Sequence, residues 1–251
     1  MIMKPWDPTP VEIFTQSKNK TNSGIFISVI VTNYNYGKYI EKCLDSIHNQ
    51  TFDKLELVVI DDKSEKDDSI DVIHKWMKKN YTRFEKCTLL SNKTNQGPSF
   101  SRNSAINYAK SEYIFMMDAD NEIFPSAISK LFSALMKTSA AGSYSQIVDF
   151  GERNQIGVSD IWDANRMRQN NYVDVMALIK KKAWEDVGGF SHIEEGWEDY
   201  DFWLKFIDKK LDLCFLPEIL CKYRVHNSSR TAKEAFSAHF ILENLMKFRH
   251  P

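Results

Sequence analysis

Short apolar runs alternate along the first half of the chain with segments whose apolar residues recur at helical spacing. Residues 26–31, 55–60 and 113–117 form such runs and predict buried strands, and residues 88–90 predict a shorter one. Between the first two runs, apolar residues at i, i+3, i+4 and i+7 predict the inward face of a helix: Ile40, Cys43, Leu44 and Ile47. This alternation is typical of an α/β fold built on a mostly parallel sheet.

The remaining elements are predicted from weaker signals. A second helix is predicted from about Asp67, a third over residues 98–109, where a proline suits the first helical turn, and a fourth from Pro125. The less regular second half predicts strands near residues 145–150, 172–179 and 213–216, and helices over residues 197–208 and 232–248. The polar, proline-bearing residues 1–24 are predicted to be a flexible leader or linker, and residues 25–251 a single domain.

Charge and hydropathy exclude several classes of protein. The 33 Lys and Arg residues nearly cancel the 34 Asp and Glu residues, so no global field attracts nucleic acid, and we expect no nucleic-acid partner. No apolar run approaches the roughly 20 residues that a transmembrane helix needs. Charged residues and prolines interrupt the stretch where a signal peptide would be apolar. We therefore expect a cytoplasmic protein, and peripheral association with the inner face of the membrane is compatible with these features.

Polar residues follow each of the four strands predicted in the first half. These polar segments are residues 32–37, 61–64, 92–97 and 118–121. Because ligands of open α/β sheets bind beyond the carboxyl ends of the strands, we expect these segments to converge on one polar crevice. Tyr34 offers a stacking face for a base there, and Asp62 can accept hydrogen bonds from a ring N–H or from ribose hydroxyls.

Two acidic pairs are candidates for chemistry. Asp118 and Asp120 lie at i and i+2 directly after a predicted strand, where they can share a hard divalent cation with the phosphates of a substrate. Glu198 and Asp199 lie at the start of a predicted helix. Carboxylates there are also favoured by the helix dipole alone, so a purely structural role stays open. His226 lies in a predicted polar loop spanning residues 223–229.

The ordered set of motifs resembles the family 2 glycosyltransferases with the GT-A fold, across about residues 25–230. The motifs are residues 27–36, 58–64, 95–103, 118–120, 188–190 and 198–199. The resemblance implies a GT-A, Rossmann-like α/β fold with a mostly parallel central sheet flanked by helices. It implies a nucleotide-sugar-binding half over residues 25–122 and an acceptor half over residues 123–251 that ends in a C-terminal helix. It also implies a nucleotide-sugar donor, a saccharide or other glycan acceptor, and Mn²⁺ or Mg²⁺.

The resemblance also assigns roles to individual residues. It places these residues in the nucleotide-sugar site: Thr32, Asn33, Tyr34, Asp62, Asn95, Gly97, Arg102 and Asp118. Asn103 would support the base and ribose together with Arg102. Asp118 and Asp120 look like the metal-binding pair, with His226 as a further ligand, and Asp199 looks like the catalytic base with Glu198 beside it. Transfer would then proceed with inversion, by metal-assisted single displacement.

The predicted activity is that of a hexosyl- or N-acetylhexosaminyltransferase that uses a UDP-sugar in surface polysaccharide or glycoconjugate synthesis. The Q-x-x-R-W motif of processive relatives is absent, and Asn121 stands where many relatives have a third Asp. Two alternatives stay open. A nucleotidyltransferase usually has a glycine-rich loop after the first strand, whereas residues 32–37 contain one glycine. A catalytically silent binding module would not need the acidic residues, yet Asp118, Asp120 and Asp199 are all present.

Overall fold

The computed structural model describes residues 6–18, 26–227 and 238–251. Its central element is a ten-stranded sheet in the order β1-β4-β3-β2-β5-β9-β7-β10-β6, with β8 paired to β7. The first strands are β1 (Val11–Ser17), β2 (Ile27–Asn33), β3 (Leu55–Asp61), β4 (Lys86–Ser91) and β5 (Tyr113–Asp118). Strands β4, β3, β2 and β5 are parallel to one another, so their carboxyl ends meet at one edge of the sheet.

Three helices connect these parallel strands. They are α1 (Gly37–His48), α2 (Ser69–Asn80) and α3 (Pro98–Tyr108), and a single 3₁₀ turn follows α2 at Tyr81–Arg83. The predicted inward face of α1 is confirmed, because the side chains of Ile40, Cys43, Leu44 and Ile47 are fully buried. Every residue of β2 and β3 is buried, as expected for parallel strands that are covered on both faces.

The second half continues the same sheet. Its elements are β6 (Glu122–Ile123), α4 (Ala127–Leu135), β7 (Gly142–Gly151), β8 (Gln155–Ile156), α5 (Ala164–Met167), β9 (Ala177–Lys180), α6 (Lys181–Asp186), α7 (Glu198–Asp208), β10 (Leu213–Val225) and α8 (His239–Arg249). Strand β9 is antiparallel to both of its neighbours, and β7 and β10 are parallel to each other. The predicted α/β class with a mostly parallel central sheet is confirmed.

Two apolar cores cover the two faces of the sheet. In β2, Ile30 packs into one core, whereas Val29 and Val31 pack into the other, as the two-residue repeat of a strand requires. Helices α1, α2 and α4 cover the second core, and α3 and α7 cover the first. Within the described residues, no helix is both long enough and apolar enough to cross a membrane.

The prediction of a flexible leader over residues 1–24 is wrong for residues 11–17. These residues form the edge strand β1, which pairs antiparallel with β4. The indole Nε1 of Trp6 donates to Ser104 Oγ of α3 at 3.0 Å and ties the segment before β1 to the domain. An edge strand is held by backbone hydrogen bonds to one neighbour, so it needs few apolar side chains, and hydropathy missed it. Residues 1–5 and 19–25 lie outside the described residues.

Other boundaries also differ from the predictions. Strand β10 was predicted near residues 213–216 but extends to Val225, with irregular register between Leu216 and Cys221, so residues 223–225 belong to a strand and not to a loop. A strand was predicted near residues 172–179, but β9 begins only at Ala177 and ends at Lys180. The predicted C-terminal helix is described from His239, and its residues 232–237 lie outside the described residues.

Candidate active site

A cleft of about 1400 Å³ opens at the carboxyl ends of β2, β3 and β5. The parallel register places Asn33 beside Asp61 and Thr32 beside Asp118 at this edge. The cleft is lined by all the residues predicted for the nucleotide-sugar site and by the acidic pairs: Thr32, Asn33, Tyr34, Asp62, Asn95, Gly97, Arg102, Asp118, Asp120, Glu198 and Asp199. The structure thus brings the predicted residues of both halves of the chain into one cleft.

Arg102 connects the two acidic pairs. Its Nη2 donates to Asp118 Oδ1 at 2.7 Å and its Nη1 to Glu198 Oε1 at 2.9 Å. Burial disfavours the charged guanidinium, but the carboxylates of Asp118 and Glu198 raise the pKa of Arg102 above its ordinary value. The guanidinium therefore stays charged and holds the end of β5 against the start of α7. Thr32 Oγ1 adds a hydrogen bond to the same Asp118 oxygen at 2.8 Å.

Asp120 is held by residues at the end of β10. Its Oδ2 lies 3.0 Å from Nε2 of His226, and its backbone carbonyl accepts from Nε of Arg224 at 2.8 Å. The imidazole of His226 packs at 5.1 Å from the ring of Tyr39. Burial first, and then the charge of Asp118, raise the pKa of Asp120, while His226 opposes the shift. His226, which lies 106 residues after Asp120 in the sequence, thus contacts the Asp120 carboxylate.

The carboxylate oxygens of Asp118 and Asp120 are ligands that suit a hard divalent cation, which a bound diphosphate would share. Asp118 Oδ2 has no hydrogen-bond partner among the described residues, because Thr32 and Arg102 both donate to Oδ1. Within the part of the chain that the structure describes, no group of three or more His, Cys, Asp or Glu side chains is arranged to hold a metal ion. Mg²⁺ in particular is usually bound through one or two carboxylates together with substrate phosphates and water, so two carboxylates are sufficient protein ligands.

Asp199 differs from its neighbours because no cationic side chain among the described residues forms an ion pair with it, whereas Asp118 and Glu198 both pair with Arg102. Asp199 is half-buried, its Oδ2 accepts from Nδ2 of Asn171 at 3.0 Å, and its Oδ1 accepts from the backbone N–H of Tyr200. Burial first, and then the charge of Glu198, raise the pKa of Asp199 to about 6. A helix dipole acting alone would stabilise the carboxylate and lower its pKa, so burial dominates here. Asp199 is therefore a carboxylate whose proton affinity suits proton transfer near neutral pH.

Asp201, two residues further along α7, faces away from the cleft. It is fully buried and its Oδ1 accepts from Nε of Arg249 at 2.5 Å. Burial alone would raise its pKa, but His250, Lys205 and Arg249 together bring the pKa of Asp201 far below its ordinary value. Asp201 thus fastens α7 to the C-terminal helix and has no access to a substrate.

The part of the cleft at the end of β3 is built around Asp62. Its Oδ1 accepts from the backbone N–H of Gln96 at 2.6 Å and its Oδ2 from that of Gly97 at 2.7 Å. Burial raises the pKa of Asp62, and these donors oppose the shift. The carboxylate therefore fixes the loop that leads into α3, a role that the sequence did not suggest. Tyr34 is 43% exposed and presents its ring to the cleft.

Comparison with known proteins identifies the family. Residues 28–199 match the family model described as "Glycosyl transferase family 2". The chain belongs to glycosyltransferase family 2. It is 25% identical to the O-antigen biosynthesis glycosyltransferase WbnJ of Escherichia coli, over 89% of this chain and 90% of that protein.

Two solved structures show the fold of this glycosyltransferase. The structure of S. aureus TarS 1-349 in complex with UDP-GlcNAc superposes with a TM-score of 0.71 at 20% identity, over 83% of this chain and 61% of that chain. The mannosyltransferase PcManGT of Pyrobaculum calidifontis, in complex with GDP-Man and Mn²⁺, superposes with a TM-score of 0.69 at 20% identity, over 99% of this chain and 68% of that chain. This chain thus spans about 61% of the TarS structure.

Two features of this glycosyltransferase's cleft were missed by sequence reasoning. Asp174 lines the cleft, and Arg102 joins Asp118 to Glu198, although the sequence placed Arg102 only beside the nucleoside. A signal for Asp174 was present, because it is the polar residue directly before the apolar run that ends in β9. Since β9 runs antiparallel to β5, its amino end lies at the edge where β5 ends.

Asn103 joins α3 to the glycine pair that precedes α7. Its Oδ1 accepts from the backbone N–H of Phe190 at 2.9 Å and from Nε1 of Trp184 at 3.0 Å, and its Nδ2 donates to the carbonyl of Phe190 at 2.8 Å. The ring of Phe190 then stacks on Phe202 of α7 at 4.0 Å. The resemblance implied that Asn103 supports the base and ribose, whereas its side-chain bonds in the structure hold the turn before α7.

Gly188 and Gly189 allow this turn to be tested by a matched pair of substitutions. Both have left-handed backbone, with φ of 74° and 70°, but a Cβ on Gly189 would lie 2.7 Å from Asn103 Oδ1, whereas one on Gly188 meets nothing within 4 Å. We expect Gly188→Ala to lower the free energy of unfolding by about 1–2 kcal/mol, the cost of left-handed backbone, and Gly189→Ala to lower it further. Urea denaturation measures both. Equal losses of unfolding free energy in the two variants would show that the close approach of the new Cβ to Asn103 has no cost.

Proposed function

We propose that this glycosyltransferase moves a hexosyl or N-acetylhexosaminyl group from a UDP-sugar to a hydroxyl group of a saccharide or other glycan, with inversion at the anomeric carbon. The proposal is carried by one observation, the presence of two kinds of carboxylate in one cleft. Asp118 and Asp120 can share a cation with phosphates. Asp199, on the other side of Arg102, is a carboxylate with a raised pKa. TarS in complex with UDP-GlcNAc and PcManGT in complex with GDP-Man and Mn²⁺ support a nucleotide-sugar donor.

The donor side neutralises the charge of the departing diphosphate. Asp118 and Asp120 would hold Mn²⁺ or Mg²⁺, which supplies Lewis-acid stabilisation of the leaving phosphates when bound. His226 would orient Asp120 through the contact between its Nε2 and Asp120 Oδ2, and it would have to leave that contact to act as a further ligand. Arg102 holds Asp118 through Oδ1, which leaves Asp118 Oδ2 without a hydrogen-bond partner among the described residues.

The acceptor side removes a proton. As the acceptor hydroxyl attacks the anomeric carbon from the face opposite the diphosphate, Asp199 accepts its proton through a carboxylate oxygen. A pKa of about 6 leaves Asp199 mostly ionised at neutral pH while keeping it more basic than an exposed aspartate. Glu198 stays paired to Arg102, so its role is to keep the start of α7 in position.

The setting of the reaction is part of the proposal. WbnJ is named for O-antigen biosynthesis, which supports an acceptor belonging to a surface polysaccharide or glycoconjugate. We place the enzyme in the cytoplasm, where nucleotide sugars would serve as donors, with peripheral contact at the inner face of the membrane.

A panel of UDP-sugars separates this function from the alternatives. The protein is incubated with Mn²⁺ and each UDP-sugar, with and without simple saccharide acceptors, and the released products are identified. We expect UDP and a free or transferred sugar. In a parallel incubation with UTP and a sugar phosphate, formation of pyrophosphate would instead indicate a nucleotidyltransferase. Thermal stabilisation by UDP without any turnover would indicate a silent binding module.

The nucleoside site is tested at Tyr34. Stacking of a base on an aromatic side chain contributes about 1–3 kcal/mol, so we expect Tyr34→Ala to weaken UDP binding by about 5- to 150-fold. Tyr34→Phe keeps the ring and should bind UDP as the wild type does. Titration calorimetry with UDP and Mn²⁺ makes the measurement. Equal affinity in all three proteins would place the base elsewhere in the cleft.

A further inference from the structure

Asp174 lies in the same cleft as the proposed reacting groups, and the mechanism above gives it no role. The antiparallel register pairs Phe115 with Leu178 and Tyr113 with Lys180, so the residues before β9 lie beside the end of β5 that carries Asp118. The neighbouring backbone is anchored, because Nε1 of the buried Trp203 donates to the carbonyl of Val173 at 2.9 Å. The carboxyl group of Asp174 is therefore held at a fixed position on the wall of the cleft.

One oxygen of this carboxyl group is available to a ligand. Asp174 Oδ1 accepts from the backbone N–H of Met176 at 2.8 Å, and Oδ2 has no hydrogen-bond partner among the described residues. Burial first, and then the charges of Asp118 and Asp199, raise the pKa of Asp174 to about 7, against the effects of the Met176 N–H and Arg102. The chain beside Asp174 is also bonded to the Asp199 side, because Asn171 donates through Nδ2 to Asp199 Oδ2 at 3.0 Å and accepts through Oδ1 from the Val173 N–H at 3.1 Å. The register of β9 on β5 places the same segment beside Asp118, so Asp174 lies between the two acidic pairs.

The transferred sugar occupies the space between these two sides. In a single displacement the anomeric carbon lies between the departing diphosphate, on the side of Asp118, and the attacking hydroxyl, on the side of Asp199. The carboxyl group of Asp174 lies near both Asp118 and Asp199. It is therefore directed at the sugar ring between them more than at the base or the ribose. Carboxylate oxygens accept hydrogen bonds from sugar hydroxyl groups and repel a negatively charged sugar.

We propose that Asp174 binds a hydroxyl group of the transferred sugar and selects neutral sugars over uronic acids. This inference rests on the proposed function and adds to it the class of sugar that the site takes. Hydrogen bonds to charged groups are among the stronger ones in proteins, so the loss of this carboxylate should be measurable in donor affinity.

The test compares donors that share a nucleotide and differ in the sugar. Affinities for UDP, UDP-glucose, UDP-galactose, UDP-N-acetylglucosamine and UDP-glucuronic acid are measured with Mn²⁺ at pH 8, for the wild type and Asp174→Asn. Asparagine keeps an oxygen for the Met176 N–H, so the local turn is preserved. Asp160→Asn, at a partly exposed aspartate that does not line the cleft, is the matched control.

We expect Asp174→Asn to bind UDP within about twofold of the wild type and to bind the preferred neutral UDP-sugar about 10- to 100-fold more weakly. Binding of UDP-glucuronic acid should not weaken, so the preference for neutral sugars falls by at least tenfold. Equal weakening of UDP and UDP-sugars, or no change in either, would overturn the inference. Failure of the wild type to bind any UDP compound would overturn the proposed function itself.

Discussion

Asp199→Asn is expected to reduce turnover by about 10²- to 10⁴-fold while leaving the affinity for the UDP-sugar nearly unchanged. Asparagine keeps the shape of the side chain and can still accept a hydrogen bond from Asn171, but it cannot accept a proton from the acceptor hydroxyl. The loss therefore appears in kcat, because the donor site on the other side of Arg102 is intact. Steady-state transfer kinetics and calorimetry with the donor measure the two quantities separately.

The controls for this prediction are neighbouring and distant carboxylates. Asp186→Asn, at an exposed aspartate on α6, should leave kcat unchanged. Glu198→Gln removes a charged partner of Arg102, so we expect it to weaken the position of α7 and to lower stability as well as kcat. If Glu198→Gln instead lowered kcat alone and more than Asp199→Asn, the base would be Glu198.

The raised pKa of Asp199 gives the same prediction a pH signature. A general base acts only when ionised, so kcat/KM should fall as the pH drops through the pKa of about 6 in the free enzyme. At each pH, the fraction of kcat/KM that is lost should equal the fraction of Asp199 that is protonated. Asp199→Asn should retain its low activity without this inflection, and a wild-type profile flat from pH 5 to 8 would contradict the assignment.

The sequence predicts which residues line the cleft at the ends of β2, β3 and β5, because parallel strands bring their carboxyl ends together. Thr32, Asp62 and Asp118 each follow or end a predicted strand, and the register between β2, β3 and β5 makes them neighbours without further information. The apolar runs that define β2 and β3 are easy to recognise in the sequence, because both faces of these strands are buried.

The part of the cleft built by the second half of the chain depends on strand direction and strand length, which the hydropathy pattern does not specify. Asp174 approaches the site because β9 is antiparallel within an otherwise parallel region, and the sequence does not specify that direction. His226 reaches Asp120 because β10 extends nine residues beyond its predicted end at Leu216, through an irregular register at residues 216–221. Edge strand β1 was missed for the related reason that backbone pairing leaves little trace in hydropathy.

Arg102 makes the donor and acceptor sides interdependent. Its buried guanidinium is the shared partner of Asp118 and Glu198, so the separation between the acidic pair and α7 is set by one side chain. Removing one partner of a buried ion pair typically costs about 3–5 kcal/mol, because the remaining charge is left without compensation. Variants of Arg102 would therefore lose fold and activity together, and they are poor probes of catalysis compared with Asp199 and Asp120.

Chelation of divalent cations is expected to abolish transfer, and Mn²⁺ or Mg²⁺ should restore it. Asp120→Ala should be inactive at every metal concentration, because it removes one of the two carboxylates able to share a cation with the diphosphate. The fold should survive at reduced stability, because removal of Asp120 relieves its repulsion with Asp118 but leaves buried His226 without this carboxylate partner. Turnover after EDTA treatment and thermal unfolding of the variant test the two statements.

Binding measurements show whether the loss in Asp120→Ala arises from the cation. In calorimetry, the affinity of the wild type for UDP should rise when Mn²⁺ is present, and Asp120→Ala should lose that increase while keeping its metal-free affinity for UDP. His226→Gln retains a side-chain N–H for Asp120 Oδ2, so a small effect would mean that His226 orients Asp120, whereas loss of the Mn²⁺ effect would mean that it ligates the ion. Full transfer in excess EDTA would contradict the metal assignment. Protein side chains would then have to neutralise the charge of the departing diphosphate. Arg102, which is bonded to Asp118, would be the first such cation to consider.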